Sequence, residues 1–173
     1  MESFDFPSEA GSLHIHQRGD HVFRQGDQDR NIYVIKHGLL KAYYLGENGK
    51  EHVKSLLIEG AFIGSMTACH SRQASTFSLV CLEDSQLYAL GFDELRAMAA
   101  DNLDVAQFVI SGLLDLAMKK ERREFEFLCM SAADRYRAMC DREPALLKRV
   151  TQNDIARYLG VTPVALSRIK SRR

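Results

Sequence analysis

The segment 151–173 constrains the fold of this chain more than any other stretch. Gly160 separates two parts with helical periodicity, and Thr151 and Thr162 each stand where a side-chain oxygen can cap the helix that follows. Pro163 suits the first position of the second helix, because that position needs no backbone N–H donor. The predicted shared core is Ile155, Ala156, Leu159, Val161, Leu166 and Ile169. This pattern indicates a helix-turn-helix, whose second helix enters the major groove of DNA.

Side chains on the second helix and at the helix starts are the candidate DNA-binding residues. Arg168 can form two hydrogen bonds to guanine, Val164 can contact a thymine methyl group, and Ser167 lies beside them. The start of the first helix and the basic residues near the end of the segment can contact phosphates. The full predicted set is Thr151, Gln152, Thr162, Val164, Ser167, Arg168, Lys170, Arg172 and Arg173. The alternative is a basic hairpin that only packs on the rest of the chain.

The overall charge of zero hides two oppositely charged parts. Residues 131–173 contain ten Lys or Arg and four Asp or Glu, a balance of +6, whereas residues 1–130 carry a balance of −6. A basic end on an acidic body is typical of a protein whose basic part contacts a polyanion. We therefore expect the tail to face DNA while the acidic body stays in solvent.

Composition is that of a folded, water-soluble protein. Of the 173 residues, 46% are hydrophobic and 27% are charged. No apolar run reaches the roughly 20 residues of a membrane span, and the N-terminus lacks a signal-peptide pattern, so we expect a cytoplasmic location without membrane contact. Cys69, Cys81, Cys129 and Cys140 have no ligand-like spacing, which favours reduced and mostly buried thiols over a disulfide, zinc or iron–sulfur site.

Short apolar segments separated by turn residues fill the region before Gly91. Near-alternation of apolar and polar residues predicts strands at 13–16, 31–36, 39–45, 52–58, 75–82 and 86–90. The sharpest turn signal is Asn48-Gly49, the pair that is typical of a type I′ hairpin. Many short strands with no helices between them predict a sandwich or a rolled barrel.

Beyond Gly91 the periodicity becomes helical. A short helix is predicted over 92–100, and Asn102 opens a longer one. Ser131 can cap a further helix over 132–140, and the pair Glu143-Pro144 stops it, because the residue before a proline is steered out of helical geometry. The segment 129–130 is therefore a predicted hinge between the body and the tail.

The long helix has a wider apolar stripe than packing on its own domain requires. Ala106, Ile110, Leu113 and Ala117 fit the alternating spacing of a coiled-coil seam. The simplest use of this surplus apolar face is a homodimer joined along the helix. A helix packed wholly against the β-region is the alternative.

Several segments match one known arrangement of parts. In the β-region they are Gly38 in the turn 37–39, the hairpin 46–51, the segment 60–64 and the run 82–90. In the tail they are 155–163 and 166–169. On these residues the chain resembles the superfamily of the cyclic-AMP receptor protein and the fumarate and nitrate reduction regulator (Crp/Fnr), in a branch whose helix-turn-helix lacks a wing.

This resemblance implies an α+β fold of three parts. The expected parts are a cyclic-nucleotide-binding-like β-roll over 1–100, a dimerisation helix over 101–130 and a helix-turn-helix DNA-binding domain over 131–173. The β-roll would be a jelly-roll-like double-stranded β-helix. The implied function is dimeric, sequence-specific transcription regulation on double-stranded DNA, with RNA polymerase as a further candidate partner. A change in the angle between the long helices, passed through a hinge at 125–131, would reset the spacing of the recognition helices.

The effector pocket departs from the family pattern. In relatives that bind cyclic AMP, a Glu takes the ribose hydroxyl, and an Arg followed by Ser or Thr takes the phosphate. Here Ser65 stands at the Glu position, Ser75 and Thr76 stand at the other two, and Arg72 comes a few residues early. A buried phosphodiester needs a cation or several donors, so we expect neither a bound cyclic nucleotide nor a cofactor, and another small-molecule effector stays open. The candidate pocket residues are Phe62, Gly64, Ser65, Arg72, Ser75 and Thr76.

Two other functional classes fit the sequence less well. His14 and His16 with Asp20 and His21 resemble the metal motif of a cupin enzyme, but the spacing differs and a second motif is missing. We therefore predict no metal site and interpret the two alternating histidines as a solvated strand edge. The sequence has no nucleophile elbow, phosphate loop or catalytic carboxylate pair, so no catalytic residue and no enzyme activity are predicted. The remaining alternative is a β-roll sensor that acts mainly through protein partners.

Overall fold

The computed structural model describes residues 11–171, and its N-terminal half is built from short antiparallel strands. They form two four-stranded sheets, with strand orders β1-β8-β3-β6 and β2-β7-β4-β5. Strands that follow one another along the chain therefore lie in different sheets for much of the domain, as in a rolled double-stranded β-helix. The bounds are β1 Ser12–His16, β2 His21–Phe23, β3 Asn31–His37, β4 Leu40–Leu45, β5 Glu51–Leu57, β6 Phe62–Ile63, β7 Ser78–Cys81 and β8 Ser85–Gly91.

The space between the sheets is filled by the inward-facing side chains of alternating strand positions. Phe23, Tyr33 and Phe77 lie at its centre, with ring centroids 6.2 Å apart for Phe23 and Tyr33 and 5.2 Å apart for Phe23 and Phe77. Leu40, Leu79 and Leu87 pack around them and are fully buried. Aromatic pairs of this kind contribute about 0.5–1.5 kcal/mol beyond the area that they bury.

Two strands and one helix of this domain were not predicted from the sequence. The strands β2 and β6 have three and two residues, too few for alternation to be visible. The helix α1, Met66–Ser71, interrupts the strand series, so the expectation that no helix lies among the strands was wrong. The predicted strand 75–82 begins only at Ser78, because the Ser75 hydroxyl donates to the carbonyl of Phe77 and turns the chain there.

The hairpin between β4 and β5 differs from the predicted type I′ turn. The Gly46 amide donates to the Lys50 carbonyl at 2.9 Å, and the Gly49 amide donates to the Gly46 carbonyl at 2.9 Å. Gly49 has a φ of 75°, but Asn48 does not have a positive φ. The loop thus has three residues and ends in a glycine with left-handed backbone geometry. Loops of this kind are the commonest hairpin connections after the two-residue turns.

The C-terminal half is helical. Its helices are α2 Phe92–Asp101, α3 Leu103–Cys129, α4 Ala132–Arg142, α5 Pro144–Leu147, α6 Gln152–Leu159 and α7 Pro163–Ser171. The predicted caps are present: the side chain of Asn102 accepts hydrogen bonds at the start of α3, and that of Ser131 accepts one at the start of α4. The α+β class is therefore confirmed. Within residues 11–171, no helix combines the length and apolar character that a membrane span requires.

Candidate nucleic-acid interface

The corner between α6 and α7 is held by the local hydrogen bonds that its sequence predicts. The Thr151 side-chain oxygen accepts from the Asp154 amide at 3.1 Å, and that of Thr162 accepts from the Ala165 amide at 3.1 Å. Gly160 has a φ of 72°, and beyond it the Val161 amide donates back to the Ala156 carbonyl at 2.9 Å. This backbone pattern ends α6 in a left-handed residue that only glycine adopts at little cost.

The predicted core of the corner is buried. Ile155, Ala156, Leu159 and Leu166 are at most 2% exposed, and Val161 and Ile169 pack against them in part. Tyr136 and Met139 of α4 and Leu146 of α5 complete this cluster. Gly160 also packs on the ring of Phe127, since a Cβ atom there would lie 2.9 Å from that ring. The two helices of the motif thus form one unit with α4 and with the end of α3.

The outer face of α7 carries most of the predicted DNA-binding side chains in exposed positions. Val164 is 62% exposed, and Ser167 and Arg168 are exposed beside it. Lys170 is exposed and donates to the amide oxygen of Gln152 at 3.0 Å, which links the last turn of α7 to the start of α6. Thr151 and Thr162 are exposed, but their hydroxyl oxygens already cap the helices. Arg172 and Arg173 lie outside the described residues. The roles of all nine residues stay predictions.

The helix α6 is docked on the β-domain through a buried ion pair. Lys41 of β4 donates to Asp154 of α6 at 3.2 Å and to Glu51 of β5 at 2.9 Å, and both Lys41 and Asp154 are 8% exposed. Arg157 of α6 donates to the same Glu51 carboxylate at 2.6 Å. Leu39, Leu56 and Ile58 of the β-domain pack against the core of the corner. The orientation of the helix-turn-helix is therefore set by contacts with β4 and β5.

A second ionic contact joins the same two parts. Arg149, just before α6, donates to Glu59 at 2.9 Å and to Glu83 at 2.7 Å. Hydrogen bonds from Arg149 lower the pKa of Glu59 to about 2, and hydrogen bonds to Glu83 and Glu59 raise the pKa of Arg149. Because its pKa is lowered, the ionised Glu59 carboxyl group stabilises the folded state at pH values above 4.5, which is its ordinary pKa. This contribution to stability is lost as the pH falls towards 2.

These contacts correct the expectation that the acidic body stays in solvent. Glu51, Glu59 and Glu83 of the body pair with Arg157 and Arg149 of the tail. Part of the opposite charge of the two parts is thus neutralised by ion pairs within the chain. The positive charge that stays exposed in the described tail includes Arg168 and Lys170 on α7.

The junction between α3 and α4 is shorter and more constrained than predicted. α3 continues to Cys129, so of the predicted hinge 125–131 only Met130 and Ser131 lie outside helices. The Arg135 guanidinium bridges this break, donating to the Met130 carbonyl at 2.8 Å and to the Leu159 carbonyl at 3.1 Å. The centroid of the Phe127 ring lies 4.6 Å from the guanidinium carbon of Arg135 and 4.7 Å from that of Arg123. A movement of α3 is therefore coupled to α4 and to the corner.

One face of α3 is apolar and exposed in the single chain. Val105 and Glu126, on the opposite face, are buried, and Gly112 lies against the ring of Phe62. Ile110 and Leu113 of the predicted seam are exposed, whereas Ala106 is only partly so. The exposed large side chains of this face are Leu103, Ile110, Leu113, Leu114, Met118, Phe125 and Leu128. An exposed apolar face on a 27-residue helix marks a candidate interaction surface.

The residues of the predicted effector pocket have different structural roles and do not line one cavity. Ser65 caps α1, Ser75 is buried and donates to the Phe77 carbonyl, and Gly64 packs against Ile32. Arg72 and Thr76 are exposed. Phe23, Tyr33 and Phe77 belong to the buried core of the β-domain. Of the six, only Phe62 lines a cavity of about 460 Å³, an apolar one between α1, α2 and α3.

The histidines of β1 lie on an edge strand. His14 bonds to the Ser12 hydroxyl at 2.7 Å, and its ring stacks on that of His16 with centroids 6.3 Å apart. Burial, and next the nearby His14, lower the pKa of His16. Among residues 11–171, no group of three or more His, Cys, Asp or Glu side chains could hold a metal ion. The four cysteines are free thiols, of which Cys69 and Cys81 are buried and Cys129 is exposed.

Comparisons with known proteins agree with this architecture. The family described as the cyclic nucleotide-binding domain matches residues 14–102. The fumarate and nitrate reduction regulatory protein of Yersinia pestis is 27% identical over 169 residues, which cover 90% of this chain and 66% of that protein. The regulatory protein HlyX of Actinobacillus pleuropneumoniae is 26% identical, over 90% of this chain and 69% of its own. The chain thus spans about two thirds of the length of these relatives. The structure of FixK2 from Bradyrhizobium japonicum superimposes with a TM-score of 0.76 at 15% identity, covering 94% of this chain and 83% of that one.

Proposed function

The chain belongs to the Crp/Fnr family of transcription regulators, which is built on the cyclic nucleotide-binding domain, and we propose that it binds a specific DNA sequence as a homodimer. The single observation that carries this proposal is the corner of α6 and α7. It is capped at both helix starts, has a complete core, and presents Val164, Ser167 and Arg168 on an exposed face. A helix supported in this way can present its exposed face to a major groove.

The contacts with DNA divide into two kinds. The N-terminus of α6 at Thr151 and Gln152, that of α7 at Thr162, and the basic side chains Lys170, Arg172 and Arg173 contact phosphates and orient the protein. Val164, Ser167 and Arg168 contact the edges of bases. The link between Lys170 and Gln152 keeps two of the phosphate-binding positions at a fixed separation.

Dimerisation supplies the second half of the interface. Two copies that pack along the apolar face of α3 present two copies of α7 to one DNA duplex. A change in the crossing angle of the paired α3 helices moves the recognition helices, because Arg135 and Phe127 couple the end of α3 to α4 and the corner. A small-molecule effector, if one acts, need only bias that angle.

Replacing Arg168 by alanine tests base recognition. We expect the loss of about 1–3 kcal/mol of binding free energy, or about 5- to 150-fold in affinity, on the preferred sequence, because a bidentate contact to guanine disappears. Binding to random DNA should change far less. Fluorescence anisotropy on both DNAs at one fixed salt concentration measures the difference.

The matched control is Arg96→Ala, which removes an exposed arginine from α2 of the β-domain. It should leave both affinities unchanged. An equal loss on preferred and random DNA with Arg168→Ala would contradict base recognition by this side chain and would leave a purely electrostatic role.

A further inference from the structure

The side chain of Arg123, on α3, contacts both the β-domain and the helix-turn-helix. Its Nη2 donates to the Val53 carbonyl of β5 at 2.8 Å and to the Tyr158 carbonyl of α6 at 3.1 Å. The guanidinium carbon lies 4.2 Å from the centroid of the Tyr158 ring and 4.7 Å from that of Phe127, both within the range of a cation–π contact. One partly buried guanidinium thus joins the three parts of the chain.

The acceptor on the β-domain lies at an irregular point of an outer strand. β5 is the last strand of its sheet, and its pairing with β4 shifts register between Val53 and Ser55. Lys54 is therefore the extra residue of a β-bulge, which locally disrupts the ladder of hydrogen bonds. The bond from Arg123 to the Val53 carbonyl ties α3 to the main chain of β5 at this point.

The acceptor on α6 lies in the last turn of that helix. The last four carbonyls of an α-helix have no partner within the helix. In α6 the Gly160 amide donates to the first two of them, Arg123 donates to the third, at Tyr158, and Arg135 donates to the fourth, at Leu159. Two cations also suit the negative end of the helix dipole. Because both acceptors of Arg123 are backbone carbonyls, its bonds fix main chain to main chain.

The two arginines at this helix end have different effects. Arg135 belongs to α4, which shares one buried core with α6, so its bond stays within the helix-turn-helix unit. Lys41 and Arg149 tie this unit to the β-domain. Arg123 ties the unit to α3, the helix whose apolar face is the proposed dimer interface.

We propose that Arg123 positions the helix-turn-helix relative to α3 and thereby fixes the separation of the two recognition helices in a dimer. This inference rests on the proposed binding of a symmetric DNA site by a homodimer. One added base pair turns the second half-site by about 34° and moves it by about 3.4 Å. Two rigidly held helix-turn-helix units cannot follow this change, whereas units released from α3 can. Arg123 acts through α6 and contacts no base.

The test is the affinity of the full-length Arg123→Met variant for DNA duplexes of different half-site spacing. Each duplex has two copies of the half-site that selection from random DNA enriches, at the preferred spacing or one base pair closer or farther. A further duplex has a single half-site. The wild type should bind the wrong spacings about 100-fold more weakly, because only one half can engage. In the variant this difference should fall below about 10-fold, with unchanged affinity for the single half-site.

Three further variants separate positioning from a loss of stability. Arg123→Lys keeps the charge but lacks the planar fork, so it should restore only part of the discrimination. Arg122→Met removes the neighbouring exposed arginine and should keep all of it. Val105→Ala opens a small cavity at the far end of α3, where Val105 is 7% exposed. It should lower stability and leave the discrimination between spacings intact.

Hydrogen exchange of the DNA-free protein gives a second measurement. Arg123→Met should speed amide exchange in the last turn of α6 and in β5 around Val53, relative to Arg122→Met. Unchanged exchange, or undiminished discrimination between spacings, overturns the proposal. A wild type that binds no DNA sequence specifically contradicts the proposed function instead, and the exchange rates then decide whether Arg123 holds α3 against α6.

Discussion

Replacing both Ile110 and Leu114 by aspartate is expected to convert the protein into a monomer and to weaken its binding to a two-fold symmetric DNA site by about 100-fold or more. The two side chains are 56% and 59% exposed in the single chain and lie at the centre of the apolar face of α3. Carboxylates there would have to be desolvated next to each other in a dimer, which costs several kcal/mol. The loss of affinity follows because each half of the DNA site would be bound separately.

The control for this variant is Arg122→Asp. It changes the net charge by the same two units at an exposed position of α3 that lies off the apolar face. It should remain dimeric in analytical ultracentrifugation. If the Ile110→Asp, Leu114→Asp variant stays dimeric, α3 is not the interface, and the alternative of a helix packed only on its own β-domain gains support.

Replacing Lys41 by methionine is expected to lower the free energy of unfolding by about 3 kcal/mol. Methionine keeps the length of the side chain but leaves the Asp154 carboxylate buried without its cation. Glu51 is less affected, because Arg157 still donates to it. Urea unfolding monitored by circular dichroism measures the change, and α6 should lose protection from hydrogen exchange first, since it is the element that the pair holds.

The exposed ion pair of Arg137 with Asp134 in α4 gives the comparison. Arg137→Met should cost less than about 1 kcal/mol, because exposed pairs contribute little. Asp154→Asn removes the other charge of the buried pair, and the double variant Lys41→Met, Asp154→Asn should be less destabilised than the sum of the two single ones. A Lys41→Met variant no less stable than Arg137→Met would contradict the assignment of this pair to domain docking.

The parts of the fold that could be predicted from the sequence are those with short-range physical causes. Thr151, Thr162 and Gly160 form hydrogen bonds with residues at most four positions away. The two helices and their corner could therefore be predicted from the local sequence. The start of α3 at Asn102 and the stop before Pro144 have the same local origin. The short strands β2 and β6 were missed because their pairing partners, and not their own residues, define them.

The contacts that position the candidate site could not be predicted in this way. Lys41 and Asp154 are 113 positions apart, and Arg149 and Glu59 are 90 apart. The residues around Lys41 do not predict that its side chain is buried, because the sequence of β4 is that of an ordinary strand. The charge asymmetry of the sequence does contain a signal for these contacts, because opposite charges on two parts of one chain can pair with each other as well as with DNA. The β-bulge at Lys54 is likewise visible only in the pairing of β4 with β5.

Selection of bound sequences from a pool of random DNA by the wild-type protein shows whether the chain recognises DNA as a dimer. A dimer that reads DNA through Val164, Ser167 and Arg168 should enrich a two-fold symmetric sequence with half-site centres about 10 base pairs apart. The Ile110→Asp, Leu114→Asp variant should not enrich the symmetric site. A wild-type pool that stays random, or that converges on a single unrepeated half-site, would contradict recognition of DNA by a dimer.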